Sequence, residues 1–160
     1  MAVKFTLRTY EPSDFETLYE IDQACYEPEI AYSKRELRTY LRFSGAECVI
    51  AEADGEIAGF CISAHRDRLG YIVTIDVLEK FRRQGAATAI LDEVERRLIE
   101  NGVREVGLET ATDNQSAIAF WRKHGYRSRG VRKNYYPGCR DAFAMTKAIA
   151  PAAAAAKEGR

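Results

Sequence analysis

Residues 82–88 read Arg82-Arg83-Gln84-Gly85-Ala86-Ala87-Thr88, and they join two stretches of opposite character. Before them, residues 69–77 read as a strand. After them, Ala87, Ile90, Leu91, Val94 and Leu98 recur at helical spacing, with Asp92, Glu93, Glu95, Arg96 and Arg97 on the water face. Asn101-Gly102 then supplies a C-cap glycine. The seven residues therefore open a long helix directly after a strand. A helix N-terminus carries unpaired N–H groups and partial positive charge. Gly85 lets an anionic ligand approach the backbone, Ala86 and Ala87 keep the approach uncluttered, and Arg82 and Arg83 add charge beside it. A diphosphate is a natural occupant. The loop lacks the Gly-Lys-Ser/Thr ending of a Walker A sequence and is not GxGxxG. A capped helix following a turn accounts for the same residues, so this loop alone does not choose.

Working outward, Val3, Phe5 and Leu7 alternate with Lys4, Thr6 and Arg8, which predicts a half-buried strand over 3–9. Glu11-Pro12-Ser13-Asp14 opens a helix carrying Phe15, Leu18, Tyr19, Ile21 and Asp22. Ser33 and Glu36 form a capping box for a second helix through Leu37, Tyr40 and Leu41. Strands over 48–51 and 57–62 meet at Asp54-Gly55, a hairpin signal. Downstream come a strand over 103–110, a helix over 114–124 stopped by Gly125, and strands over 126–133 and 142–147. This order predicts an α/β fold, a mixed sheet with helices on both faces. The 160 residues suit one domain over 1–149. Residues 150–160 form an Ala-rich tail that cannot bury anything larger than a methyl and is expected to be disordered.

The 24 basic and 24 acidic side chains cancel. That balance argues against a direct nucleic-acid role or binding to an anionic membrane as the main activity. No run approaches the ~20 apolar residues of a membrane span, and residues 1–18 show no signal-peptide pattern. Cys25, Cys48, Cys61 and Cys139 are far apart. Cys48 and Cys61 sit in apolar runs and read as buried thiols of a reduced, cytoplasmic protein. With only His65 and His124 and no partnering spacing, no metal site is expected. The basic run Arg122, Lys123, Arg127, Arg129, Arg132 and Lys133 reads as a solvated face before it reads as a contact for a nucleotide or a ribosomal surface.

A second motif follows one helix and one strand after the loop: Asn114-Gln-Ser-Ala117-Ile-Ala-Phe120-Trp121-Arg-Lys-His-Gly125-Tyr126. Together, Arg82-x-x-Gly85-x-Ala87 and this helix resemble the GCN5-related N-acetyltransferase family over residues 76–126. The first is similar to that family's pyrophosphate-binding turn. The second is similar to its Asn-x-x-Ala-x-x-Phe-Tyr-x-x-x-Gly-Phe helix. Leu108-Glu109-Thr110, Arg132-Lys-Asn-Tyr-Tyr-Pro137, Asp141-Ala-Phe-Ala-Met145, Tyr32-Ser33 and Asp22-Gln23 resemble its ribosomal-protein alanine N-acetyltransferase branch. The likeness covers nearly all the chain except the tail.

The resemblance implies a mixed, mostly antiparallel sheet of the acyl-CoA N-acyltransferase type and acetyl-CoA as co-substrate, with no metal. It implies that acetyl-CoA runs along Ile75, Asp76 and Val77, over Arg82, Arg83, Gln84, Gly85, Ala86, Ala87 and Thr88, and past Asn114. It also implies Glu109 as general base, a peptide or protein N-terminus, of a ribosomal protein in that branch, as acceptor, and Tyr135 and Tyr136 lining its groove. The alternative for Glu109 is a solvated strand-end carboxylate, which the resemblance disfavours, and for the two tyrosines strand packing, more so for Tyr135 than for Tyr136. Trp121 stands where the branch has a tyrosine acid. Indole donates a hydrogen bond but no proton; a thiolate with a pKa near ~8.5 can leave unprotonated. Trp121 would then steady the sulfur, or Tyr135 or Tyr136 would supply the proton. Two other functions stay open: acetylation of a lysine, polyamine or small-molecule amine, and a catalytically weak acetyl-CoA-binding module.

Overall fold

The computed structural model describes residues 3–150; the expected tail, apart from its first residue, lies outside the described residues. In chain order the elements are β1 (Thr6–Thr9), α1 (Phe15–Cys25), α2 (Lys34–Arg42), β2 (Glu47–Ala53), β3 (Glu56–Arg66), β4 (Leu69–Val77), α3 (Ala86–Glu100), β5 (Glu105–Ala111), α4 (Gln115–Lys123), β6 (Arg127–Tyr136) and β7 (Arg140–Ala148).

The local signals act as their chemistry requires. Ser33 Oγ accepts from the Glu36 amide at 3.1 Å while the Ser33 amide donates to Glu36 Oε1 at 3.0 Å, a closed capping box. Asp54 and Gly55 both take positive φ, 53° and 78°, turning β2 into β3. At the end of α3 the Val103 amide reaches back to the Leu98 carbonyl at 3.0 Å, with Gly102 at φ 86° making the reversal.

The strands form one seven-stranded sheet in the order β1-β2-β3-β4-β5-β7-β6. Among the described residues only β4 and β5 pair in parallel. On one face, Phe15, Leu18, Ile21 and Leu37 of α1 and α2 pack on Cys48, Ile50, Phe60 and Ile62. On the other, Ile90, Leu91, Val94 and Leu98 of α3 pack on Val49, Ala51, Cys61 and Ile72. Neighbouring residues of β2 thus serve opposite faces, as a period of two requires. Each buried Leu or Ile contributes roughly 1.5–3 kcal/mol, so both helical layers are held by apolar contact. The expected mixed, mostly antiparallel sheet with helices on both faces is borne out, and so are Cys48 and Cys61 as buried thiols.

Several boundaries differ from the sequence reading, among them the end of β3, which runs to Arg66 rather than residue 62, and two have a visible cause. β1 begins at Thr6 rather than residue 3, because β2 ends at Ala53 and Thr6 already pairs with Glu52; Val3 and Phe5 pack on the core without a ladder partner. β6 runs on to Tyr136 past Asn134, which takes φ 53° and donates its amide to Asp141 Oδ1 at 2.9 Å.

What positions the site is a fork in the sheet. β4 and β5 pair only from Leu69–Tyr71 to Glu105–Gly107. Beyond that β4 stays with β3 as far as Val77, and β5 with β7 as far as Ala111. Ile62 pairs with Thr74 and Ser63 with Ile72, so Val73 is an extra residue in β4 at the fork. Such a bulge bends and twists its strand.

Candidate active site

The fork opens into a cleft of about 820 Å³ at the carboxyl ends of the two parallel strands, lined by β4, the start of α3, the end of β5 and α4. Ligand sites of open α/β sheets occupy such places.

The free edge of β4 forms one wall. The carbonyl of Val73 accepts from the Tyr32 hydroxyl at 3.3 Å, and that of Ile75 from the Tyr26 hydroxyl at 3.1 Å. The Val77 carbonyl accepts from Arg82 Nε at 2.9 Å and from the Cys25 thiol at 3.4 Å. Burial pushes that thiol up to about 11, so it remains a neutral donor. Within a strand the N–H and C=O of one residue point the same way, so the amides of Ile75 and Val77 also face the cleft. With its acceptors already capped, this edge offers a ligand donors. Asp76 lies between them, and its carboxyl turns into the α1 side, where it is 1% exposed.

The other end of β4 leads to the loop read first in the sequence. Gly85 takes φ 88° and stands at the N-cap of α3 with no side chain capping the first amides. Arg83 is also left-handed, at φ 62°. A turn that carries left-handed residues on both sides of Gln84 directs neighbouring N–H groups into a concavity that suits an anion. A Cβ on Gly85 would meet nothing within 4 Å, so the space over these amides is open. Ala86, Ala87 and Thr88 form the first turn, and Thr88 Oγ1 lies 3.1 Å from His124 Nε2 at the end of α4. Arg82 folds back on Val77, Gln84 donates to the Lys80 carbonyl at 2.8 Å, and Arg83 is exposed. The donor set fits a diphosphate bearing an amide-containing arm.

Asn114 caps α4, accepting from the Ala117 amide at 3.1 Å, and borders the cleft. Trp121 is 5% exposed, edge-on to Phe120 and Tyr126 and packed in the α3-side core, with one edge on the cleft wall.

Glu109, on β5 just past the fork, has a side chain only 9% exposed. Three donors converge on it. The Tyr71 hydroxyl bonds Oε1 in a short contact, the Tyr135 hydroxyl reaches Oε1 at 3.3 Å, and Arg132 Nε holds Oε2 at 3.0 Å. The two tyrosine hydroxyls are 3.4 Å apart. Burial pushes the Tyr71 hydroxyl above its ordinary value and the Glu109 carboxylate raises it further. Burial raises Tyr135 and Tyr136 as well, so all three remain protonated near neutrality. Tyr135 owes its reach to β6: between Arg132 and Tyr136 that strand carries two residues more than the β7 segment opposite it. Tyr136 packs edge-on against Tyr135 and lines the cleft.

Tyr71 escaped the sequence reading, and Arg132 appeared there in a basic face and at the head of the Asn-Tyr-Tyr-Pro motif but with no role at the site. Tyr71 pairs with Gly107, two residues before Glu109, across the parallel junction of β4 and β5. Only knowledge of that register brings them together. Among the described residues no group of three or more His, Cys, Asp or Glu could hold a metal ion.

Residues 15–126 match the model of the acetyltransferase (GNAT) family. The chain belongs to that family. It is an acetyl-CoA-dependent acyltransferase by membership, and the enzyme class read from the two motifs is borne out. The ribosomal protein bS18-alanine N-acetyltransferase of Escherichia coli strain K12 is 27% identical over 150 residues, which cover 90% of this chain and 97% of that protein. An N-alpha-acetyltransferase of Sulfurisphaera tokodaii is 31% identical over 119 residues, 66% of this chain and 71% of that protein. The crystal structure of the ribosomal-protein-S18-alanine N-acetyltransferase from Escherichia coli matches with a TM-score of 0.84 at 26% identity, covering 93% of this chain and 96% of that one.

Proposed function

We propose that this acetyltransferase modifies the α-amine of a protein N-terminus, with Glu109 as general base and a ribosomal protein as acceptor in a reduced, cytoplasmic setting. The observation that carries the reading is the convergence of Tyr71, Tyr135 and Arg132 on Glu109 at the mouth of a donor-lined cleft. The named activities of the relatives above support the choice of acceptor.

Acetyl-CoA, when bound, supplies an activated acetyl carbon that accepts the amine nitrogen while sulfur leaves with the C–S bonding pair. The chain's own groups do the rest. The first-turn amides of α3 bind the diphosphate, and the Ile75 and Val77 amides orient the arm. An N–H aimed at a developing oxyanion is worth roughly 3–4 kcal/mol, a role that falls to Val77. Glu109 takes the ammonium proton, directly or through the Tyr135 hydroxyl or a water. An α-amine, with a pKa near ~8, gives up that proton more readily than a lysine near ~10.4. Tyr71 and Arg132 hold the carboxylate in place. Tyr135 and Tyr136 flank the acceptor, and either hydroxyl is a proton source for the departing thiolate, for which Trp121 has no acidic proton.

Matched peptides beginning with alanine and carrying one internal lysine, with free and with blocked N-termini, test the acceptor. Acetylation of the free peptide alone supports it. Acetylation of the blocked peptide would transfer the activity to side-chain amines.

A further inference from the structure

Away from Glu109, two carboxyls meet inside the molecule where α1 crosses β4. Asp22 is 0% exposed and Asp76 is 1% exposed. Asp22 Oδ2 accepts from the Tyr32 amide at 2.7 Å, and Asp76 Oδ1 accepts from the Thr74 hydroxyl at 2.6 Å. The two remaining oxygens, Asp22 Oδ1 and Asp76 Oδ2, are buried with no hydrogen-bond partner among the described residues, and Cys25 and Tyr26, which follow Asp22, bond the Val77 and Ile75 carbonyls on either side of Asp76.

Among the described residues no salt bridge reaches the pair, whose donors are the Tyr32 amide and the Thr74 hydroxyl, too few to balance a double negative charge. Glu36 faces the pair from α2, Cys25 and Tyr26 from the end of α1 and the turn after it, Thr74 from β4 itself, and the Cys48 thiol from β2, while β3 presents apolar Phe60 and Ile62 on that side. Arg82 is committed to the Val77 carbonyl. Two ionised carboxylates here would each bury an unpaired oxygen against a like charge. One proton converts both orphans into a single O–H···O bond of the strong, charge-assisted kind.

We propose that Asp22 and Asp76 hold one proton between them, and that this proton fastens the end of α1 and the turn after it, whose Cys25, Tyr26 and Tyr32 also line the cleft, to β4. Asp22 receives a backbone N–H, which can only donate, so Asp22 is the charged member and Asp76 the donor. Burial acts in the same sense, raising Asp76 more strongly than Asp22. The joint also governs the edge of β4, because Tyr26 and Tyr32, which follow Asp22, cap the carbonyls of Ile75 and Val73.

The sign of the pH dependence follows. An unfolded Asp releases its proton near pH ~4, whereas the native pair keeps one. The native state therefore binds the extra proton, and stability falls as pH rises until the folded pair itself ionises.

Asp76→Asn tests this. Its amide keeps a donor toward Asp22 Oδ1 and a carbonyl toward Thr74, and it does not titrate. Relative to that variant, the wild type should lose about tenfold in its folding equilibrium constant for each pH unit above about 5. At pH 8, where ordinary carboxyls are ionised, infrared spectra of the wild type should retain a protonated-carboxyl band that the variant lacks. The Tyr32 amide should lose exchange protection at alkaline pH in the wild type alone. Parallel stability curves, or no protonated band in the wild type at pH 8, would overturn the proposal. The infrared result needs only the wild type, and none of these readouts involves acetyl transfer, so they stand apart from the identity of the acceptor.

Discussion

Glu109 is a carboxylate whose surroundings are all donors, and this makes its substitution informative. Glu109→Gln keeps the shape and loses the base. Turnover should fall by about 10²–10⁴-fold with acetyl-CoA affinity nearly unchanged, measured by steady-state kinetics alongside calorimetry. An unaltered rate would assign the proton to another group. Tyr71→Phe removes one hydroxyl from Oε1 and leaves the ring in place. A hydrogen bond to a charged partner contributes roughly 1.5–3 kcal/mol to stability, so the melting temperature should fall by about 4–10 °C, and kcat should fall by about tenfold as the carboxylate loses one of its holds. Residue by residue, the sequence was uneven as a guide. Glu109 lies in a motif and could be picked out; Tyr71 lies in none and matters only through the register of β4 against β5. Trp121 shows a different limit: its identity was legible, but only packing reveals that most of the indole belongs to the core, edge-on to Tyr126.

At the scale of elements, the join between β4 and α3 concentrates the design. Gly85 is needed for its φ of 88°, since no neighbour crowds the space that a Cβ would enter. Gly85→Ala should therefore cost about 1–2 kcal/mol of stability for the left-handed backbone. It should also weaken acetyl-CoA binding, because the methyl projects beside the anion's approach; denaturant titration and calorimetry separate the two effects. Ser33→Ala opens the capping box of α2 and should cost about 1 kcal/mol, read from the denaturation midpoint. Helices proved legible because their ends are written in local chemistry, as at Ser33, Gly102 and Gly125. The bulge at Val73 and the extension of β6 through Asn134 were not legible. Both are fixed by the partner strand, and Asn134 looks like a breaker until the Asp141 carboxylate that receives its amide comes into view.

For the whole molecule the central feature is the fork, which no single segment encodes. It arises because β4 keeps company with β3 and β5 with β7 after only three shared pairs. The two halves carry different walls of the cleft, so a ligand that touches both should stabilise the native state. Acetyl-CoA at about 100 times its Kd adds roughly 2.7 kcal/mol, which for a chain of this size should raise the melting temperature by about 5–10 °C. The most direct test of the fork as the binding site is an amide NMR titration with acetyl-CoA. The amides of Ile75 and Val77 on β4, of Gly85 through Thr88 at the head of α3, and of Asn114 should shift together and saturate at one affinity. Shifts confined to the outer surface of α1 and α2, around Tyr10, Arg38 and Arg42, with the β4 and α3 amides unmoved, would contradict it.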